Sequence, residues 1–305
     1  MNIDYNHSQN IHTLEGPHAA FPEVFPAQTP HSLLDVGCGT GTWLKAALEF
    51  GVCEIMGVDG VAIPPEQLLL PRDCFRQHDL AQPWDLGRRF DAVLCLEVAE
   101  HLDEAHAATL MDTLTRHSDT VVFSAACPGQ SGQHHVNCQW PAYWQRMFNE
   151  RGYVCTDDVR WRIWDKSDVE AWYKQNMFVA HRWSEEAGRE RRIQPIVHPE
   201  MMPYFQSALR EMVIEHIKHG DMAGKWYLAL PLRAAWGKMR RRFWQRKDAG
   251  SNLQRPARLP HPWHTQPSAR TACDACHARG RRNRCLNSDG NCCLPTDSEL
   301  SDSLR

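Results

Sequence analysis

Residues 33–41 read Leu33-Leu34-Asp35-Val36-Gly37-Cys38-Gly39-Thr40-Gly41. No other stretch so narrows the folds open to this chain. An apolar run ends in an acid, three glycines follow at alternate positions, and an apolar-patterned segment, Trp43 to Phe50, begins at once. The pattern predicts a buried strand, a tight turn and the start of a helix. Glycine lets the backbone bend sharply and lets a ligand lie against the main chain. The unpaired N–H groups of the first helical turn then point at that ligand. A small molecule with a carboxylate or phosphate belongs at such a turn.

The chemistry of the ligand follows from detail. The dinucleotide fingerprint needs a third glycine where this chain has Thr42. The spacing here is D-x-G-x-G-x-G. A carboxylate at Asp35 would repel a pyrophosphate and suits an ammonium group. A cationic amino acid joined to a nucleoside fits, and S-adenosylmethionine is such a ligand. Through Asp35, Gly37, Cys38, Gly39 and Gly41 the chain resembles the class I S-adenosylmethionine-dependent methyltransferases. That resemblance implies an α/β fold: a Rossmann-like, doubly wound, seven-stranded, mostly parallel sheet with strand order 3-2-1-4-5-7-6.

Three further landmarks follow in order. A second strand-like run, Glu54 to Asp59, ends in an acid 24 positions after Asp35, with Gly60 beside it. A carboxylate there can accept hydrogen bonds from both ribose hydroxyls. Cys74 to His78 leads into Asp79-Leu80, the place where the resembled family holds the adenine amino group. Phe90 to Leu96 runs into Glu97-Val98-Ala99-Glu100-His101-Leu102, similar to the family's fourth motif, where donor faces acceptor; Leu96 and Glu97 are expected on the cofactor. Four landmarks in sequence make an intact donor site the expectation. They argue against a catalytically inactive binding or regulatory protein on the same fold, the competing class. Thr42 and Asp35 argue against a nicotinamide dehydrogenase.

The acceptor is expected at the carboxyl edge of the strands. Glu97, Glu100 and His101 fall at i, i+3 and i+4, and Pro128 to Asn137 brings His134 and His135 to the same edge. His101 and His135 are the candidate proton acceptors. The arrangement is also similar to small-RNA 2′-O-methyltransferases of plants and to ubiquinone-pathway O-methyltransferases, which carry E-V-x-E-H and bind a divalent metal. That likeness would make Glu97, Glu100, His101 and His135 a ligand set. The plainer reading, in which the carboxylates cap backbone groups and no metal is held, is preferred. Ser124 to Gly129, His135 to Asn137, Trp140 to Trp144, Trp161 to Trp164 and Trp172 to Asn176 resemble a bacterial methyltransferase subgroup with surface-glycan or secondary-metabolite acceptors. The expected activity is methyl transfer to a small-molecule or glycan-type hydroxyl. Trp140, Tyr143 and Trp172 are candidate stacking platforms, while Trp144 reads as core.

Composition bounds the remainder. A net charge of −3 over 305 residues gives no global field for nucleic acid, which is an unlikely partner. No apolar run has membrane-spanning length, and Met1 to Gln28 lacks a signal-peptide pattern. Cysteines within apolar runs (Cys53, Cys95, Cys127) read as reduced. A cytoplasmic protein is expected. Residues 1–31 read as a lead-in with a short helix closing over the cofactor, and 32–185 as the methyltransferase domain. Residues 186–247 read as a helical extension, with Pro199 to His219 an amphipathic helix packed on the domain. Residues 225–247 are rich in Trp, Leu, Lys and Arg. They read as a solvated basic helix, with Pro231 and Gly237 weakening any single long helix, or as a membrane-surface contact. Residues 248–305 read as a disordered tail bearing cysteines and arginines. Its Cys273-x-x-Cys276 spacing suits zinc, but the later cysteines are irregularly placed.

Overall fold

A computed structural model describes Tyr5, residues 13–221 and residues 223–248. The tail beyond Asp248, with its zinc-compatible cysteines, lies outside the described residues, as does most of the first dozen. The helices are α1 (Glu15–Val24), α2 (Thr42–Glu49), α3 (Ala107–His117), α4 (Pro141–Asn149), α5 (Asp158–Ile163), α6 (Ala171–Asn176), α7 (Met202–His219) and α8 (Gly224–Asp248). The strands are β1 (Ser32–Val36), β2 (Glu54–Asp59), β3 (Phe75–Gln77), β4 (Ala92–Leu96), β5 (Thr120–Ser124), β6 (Tyr153–Thr156) and β7 (Phe178–Arg182).

The strands form one sheet in the order β3-β2-β1-β4-β5-β7-β6. The first five in that order run parallel, and β7 lies antiparallel to both β5 and β6. This is the doubly wound, mostly parallel sheet that the glycine motif and its resemblance imply. The central strands are buried on both faces, and their side chains divide strictly by parity. Leu34 and Val36 of β1 join Val93, Cys95, Val121 and Phe123 in a core closed by Leu110, Met111, Leu114, Trp144 and Phe148 of α3 and α4. Leu33 joins Ala92, Leu94, Leu96 and Val122 in the opposite core, closed by Phe21, Leu44, Ala47, Val159 and Ile163 of α1, α2 and α5.

Four local expectations change. The lead-in helix α1 does not close over the cofactor. Its Ala20, Phe21 and Val24 are core residues, because three apolar positions on one face found a partner in the α2–α5 layer. Asp103 precedes an apolar-patterned run to about His117 and is expected to cap that helix, yet its side chain does not cap α3; a short 3-10 turn, Glu104–His106, intervenes. The first turns of α7 pack on the sheet domain: Phe205 comes up against Gly129, and Tyr204 accepts a hydrogen bond from Ser131 through its carbonyl. Met202, Leu209 and Met212 are exposed. Lastly, α8 continues unbroken through Pro231 and Gly237. Proline removes one N–H, and the ladder on either side persists.

The described residues up to Leu209 form one compact unit and those from Arg210 onward a second. Within the first, residues 186–201 lie across α4 and α6. Ile193 and Met201 are buried there, and Glu190 accepts hydrogen bonds from Gln145 and Asn149.

Candidate active site

The glycine turn between β1 and α2 is built on left-handed backbone. Gly37, Gly39 and Gly41 have φ of 81°, 52° and 89°, a region L side chains rarely adopt. The space is also taken. A Cβ on Gly37 would lie 2.3 Å from Val98 Cγ2, and one on Gly41 would lie 2.5 Å from Leu70 Cγ. Asp59, at the end of β2, holds this turn: its Oδ2 accepts from the Gly39 N–H at 2.8 Å and its Oδ1 from the Val61 N–H at 2.8 Å. Two backbone donors therefore fix the carboxylate that sequence reasoning assigns to the ribose. Asp79 is fixed likewise, its Oδ1 accepting from the Ala81 N–H at 3.0 Å.

Beside the turn opens a cavity of about 300 Å³. Gly37, Asp59, Gly60, Asp79, Leu80 and Glu97 line it, and His101 stands at its edge. Six of the eleven residues expected on the cofactor are thus brought together. Asp35, Cys38, Gly39, Gly41 and Leu96 stand behind the lining. Cys38 turns its thiol toward Gly57 and the α2 core, where burial pushes it well up. Asp35 is 3% exposed; burial first, and the charge of Asp59 second, push its carboxyl up to about 8. It keeps its proton until a cation lies against it. Val98 and Leu102 of the fourth motif also line the cavity, as do Val61, Ala62, Gln77 and Tyr5, to which no motif pointed. Tyr5 meets the His101 ring edge-on at 4.9 Å.

At the acceptor edge Glu97 has φ 54°, one of two non-glycine residues with positive φ among the described residues. Strain of this kind persists where surrounding bonds over-determine it. Here they do. Its N–H donates to the Ser124 carbonyl at 3.0 Å and to Ser124 Oγ at 3.1 Å. Its Oε1 accepts from Asn176 Nδ2 at 3.1 Å, and its Oε2 from Gln130 Nε2 at 2.8 Å. Asn176 also donates to Gln130 Oε1 at 2.9 Å, so the three side chains close a ring. Gln130 and Asn176 were not foreseen, since their partner is 33 and 79 positions away.

Glu100 contrasts with Glu97. It is fully buried, and neither carboxyl oxygen has a hydrogen-bond partner of standard geometry among the described residues. Burial first, then the charge of Glu97, push it well above the ordinary carboxylate range. Burial pushes Glu97 up as well, but the hydrogen bonds from Asn176, Gln130 and Ser124 pull it back, so Glu100 is the more firmly protonated member of the pair.

His101 and His135 come together as expected, with ring centroids 5.1 Å apart. His135 Nδ1 lies 3.0 Å from the Gln130 carbonyl and His101 Nδ1 lies 3.4 Å from the His134 carbonyl. A carbonyl only accepts, so a proton on Nδ1 satisfies the contact in each ring; His101 also has a hydrogen bond to the Gln133 backbone. Burial first, and His135 second, push His101 down to about 4; burial lowers His135 too. Both imidazoles are neutral at pH 7. Glu100, His101 and His135 each place one donor atom within 4.8 Å of the others. Glu97, the fourth residue of the expected ligand set, is not in that group, its oxygens being committed to Asn176 and Gln130.

The aromatic candidates disperse. Trp144 is core, 5.3 Å from Phe123. Trp172 packs edge-on to Tyr204. Trp140 and Tyr143 line a separate open cavity of about 460 Å³ with Arg146 and Arg192.

Several solved structures share the fold. The chain is 18% identical to the methyltransferase domain of a bacterial CtHen1-C, over 56% of this chain and 100% of that one, with a TM-score of 0.41. It is 19% identical to magnesium protoporphyrin IX methyltransferase from Synechocystis PCC 6803 (54% and 80%, TM-score 0.40). With the sugar N-methyltransferase KedS8 from Streptoalloteichus sp ATCC 53650 it shares 20% (56% and 87%, TM-score 0.41). At these levels the likeness says nothing of the acceptor. No curated protein matches the chain. The methyltransferase-domain family does match, across residues 8–176, more than half the chain. Those residues span the glycine turn, both carboxylates of the cavity and the Glu97–Gln130–Asn176 ring; the chain belongs to this methyltransferase-domain family and is an S-adenosylmethionine-dependent methyltransferase.

Proposed function

We propose that the chain methylates a hydroxyl of a small-molecule or glycan-type acceptor, with His101 or His135 taking the hydroxyl proton. The carrying observation is the pair of neutral imidazoles at the donor cavity, each with Nδ1 directed at a backbone carbonyl. The acceptor oxygen attacks the methyl carbon in line as the carbon–sulfur bond breaks. Sulfur keeps the electron pair and becomes a thioether. The hydroxyl proton passes to the unprotonated ring nitrogen of that histidine. The donor is already activated, so alignment and exclusion of water supply much of the rate. Asp59 and Asp79 suit the ribose and adenine, and the Asp35 side of the turn suits the ammonium.

A second reading rests on Glu100. A buried carboxyl with no hydrogen-bond partner of standard geometry among the described residues, beside two neutral imidazoles, fits a divalent ion held by Glu100, His101 and His135. Backbone carbonyls at Nδ1 are the usual orienting partners of metal-bound histidines. When bound, the ion would act as a Lewis acid on the acceptor oxygen.

One experiment serves both. Methyl transfer from labelled S-adenosylmethionine is screened against hydroxyl-bearing metabolites and sugars, with added magnesium or manganese and with a chelator. His101→Ala and His135→Ala are expected to keep S-adenosylhomocysteine affinity while one or both lose roughly a hundredfold in turnover. Normal turnover by both variants rules out the base. Chelator-insensitive activity rules out the metal.

A further inference from the structure

Helix α8 carries a charge that the rest of the chain does not share. Its 25 residues hold eight Lys and Arg against one acid, Asp248, a net charge of +7 in a chain whose total is −3. It also shows apolar surface. Leu228, Leu232, Trp236 and Met239 are 82%, 75%, 65% and 56% exposed. They recur at i, i+4, i+8 and i+11. At ~100° per residue they occupy an arc of ~80°. On the same wheel Lys225 falls within that arc, at its N-terminal end, and Lys238 lies ~80° to one side of it; both are exposed. Away from that arc the helix is differently placed: Tyr227 and Leu230 are half-buried, and the Tyr227 hydroxyl donates to the His216 carbonyl at 3.1 Å. Arg233 lies over the Trp226 ring at 4.7 Å, off the stripe.

From this we infer that α8 is a docking surface for an anionic lipid bilayer, lying in the plane of the headgroups. Two features select that occupant. The cations complement acidic headgroups, and each lysine or arginine held near such a surface adds to the attraction. The stripe, with a tryptophan in it, supplies the apolar face that sinks to the acyl boundary. A solvated basic helix needs no such stripe. A nucleic-acid helix would use the cations and leave Leu228 and Leu232 in water. No helix among the described residues is long and apolar enough to cross a membrane, so attachment is at the surface. Binding of this kind is salt-sensitive and needs both components.

The test uses the full chain and sedimented vesicles, either of phosphatidylcholine alone or of phosphatidylcholine with about a third phosphatidylglycerol. The wild type is expected to partition onto the acidic vesicles at least tenfold better than onto the neutral ones, and to lose that preference in high salt. L232E/W236E should abolish vesicle binding, and K225Q/K238Q should weaken it several-fold. Both variants should bind S-adenosylhomocysteine as the wild type does, which shows that they fold. The inference is overturned by equal binding to both vesicle types, or by vesicle binding that survives L232E/W236E. It is equally overturned if vesicles are not bound and the chain instead binds a duplex or single-stranded oligonucleotide, or forms a dimer that L232E/W236E dissociates.

Discussion

Asp35 ties the donor site to pH. The folded chain keeps its proton up to about 8, whereas an ordinary aspartate releases it near 3.8. The native state thus binds more protons than the unfolded state across that window, and this group's contribution to stability falls as pH rises from 4 to 8. A ligand ammonium against Asp35 favours the ionised form. Cofactor binding in this window then releases a proton and strengthens toward pH 8. Calorimetry of S-adenosylhomocysteine in two buffers of different ionisation heat should show that release, and melts of the free chain should fall over the same range. Asp35→Asn should flatten both; a slope that survives it belongs to another group. At this scale the sequence was most readable where the site is local. Asp35, Gly37, Asp59 and Asp79 stand at the ends of strands, in spacings that the turn chemistry dictates. Gln130 and Asn176 carry no such mark, because an amide acquires its role only from the carboxylate the fold sets opposite it.

Among elements, the join between the end of β4, the loop after β5 and the end of α6 matters most. Glu97 is the carboxyl shared by all three; burial raises it, and two amide donors offset that by stabilising its ionised form. Asn176→Ala removes one. A buried charge that loses a hydrogen bond costs ~1–3 kcal/mol, so the variant should melt several degrees lower and weaken S-adenosylhomocysteine binding. Asn176→Gln cannot place its nitrogen identically and should restore little. A melt matching wild type would show that Gln130 alone satisfies Glu97. Periodicity located most of these elements, since every central strand is apolar and bounded by turn residues. It misjudged α1 and α8. An apolar face shows that a helix has a partner without showing which one, and a single proline weakens a helix without ending it.

For the whole molecule, strand order was legible only through the resemblance carried by the glycine motif; hydrophobic alternation fixes faces and leaves neighbours open. The two cores close with residues no later than Met201, and the sequence beyond Asp248 has too few apolar residues to add another. A chain ended after Lys247 should therefore fold, bind S-adenosylhomocysteine and melt within a few degrees of the full chain; failure to fold would reveal a structural part played by the tail. The placing of β7 between β5 and β6 has a consequence for synthesis. Emerging from the ribosome in order, β6 has no strand to pair with until β7 is made, because β7 is its sole neighbour in the sheet. Asn176 arrives only just ahead of β7. The donor cavity can be shaped early, from residues up to Leu102, yet its acceptor-side carboxylate lacks its second amide donor until some eighty residues after Glu97. Nascent chains stalled between these points should hold nucleoside without transferring methyl, and competence arrives in a single late step, with the insertion of one strand.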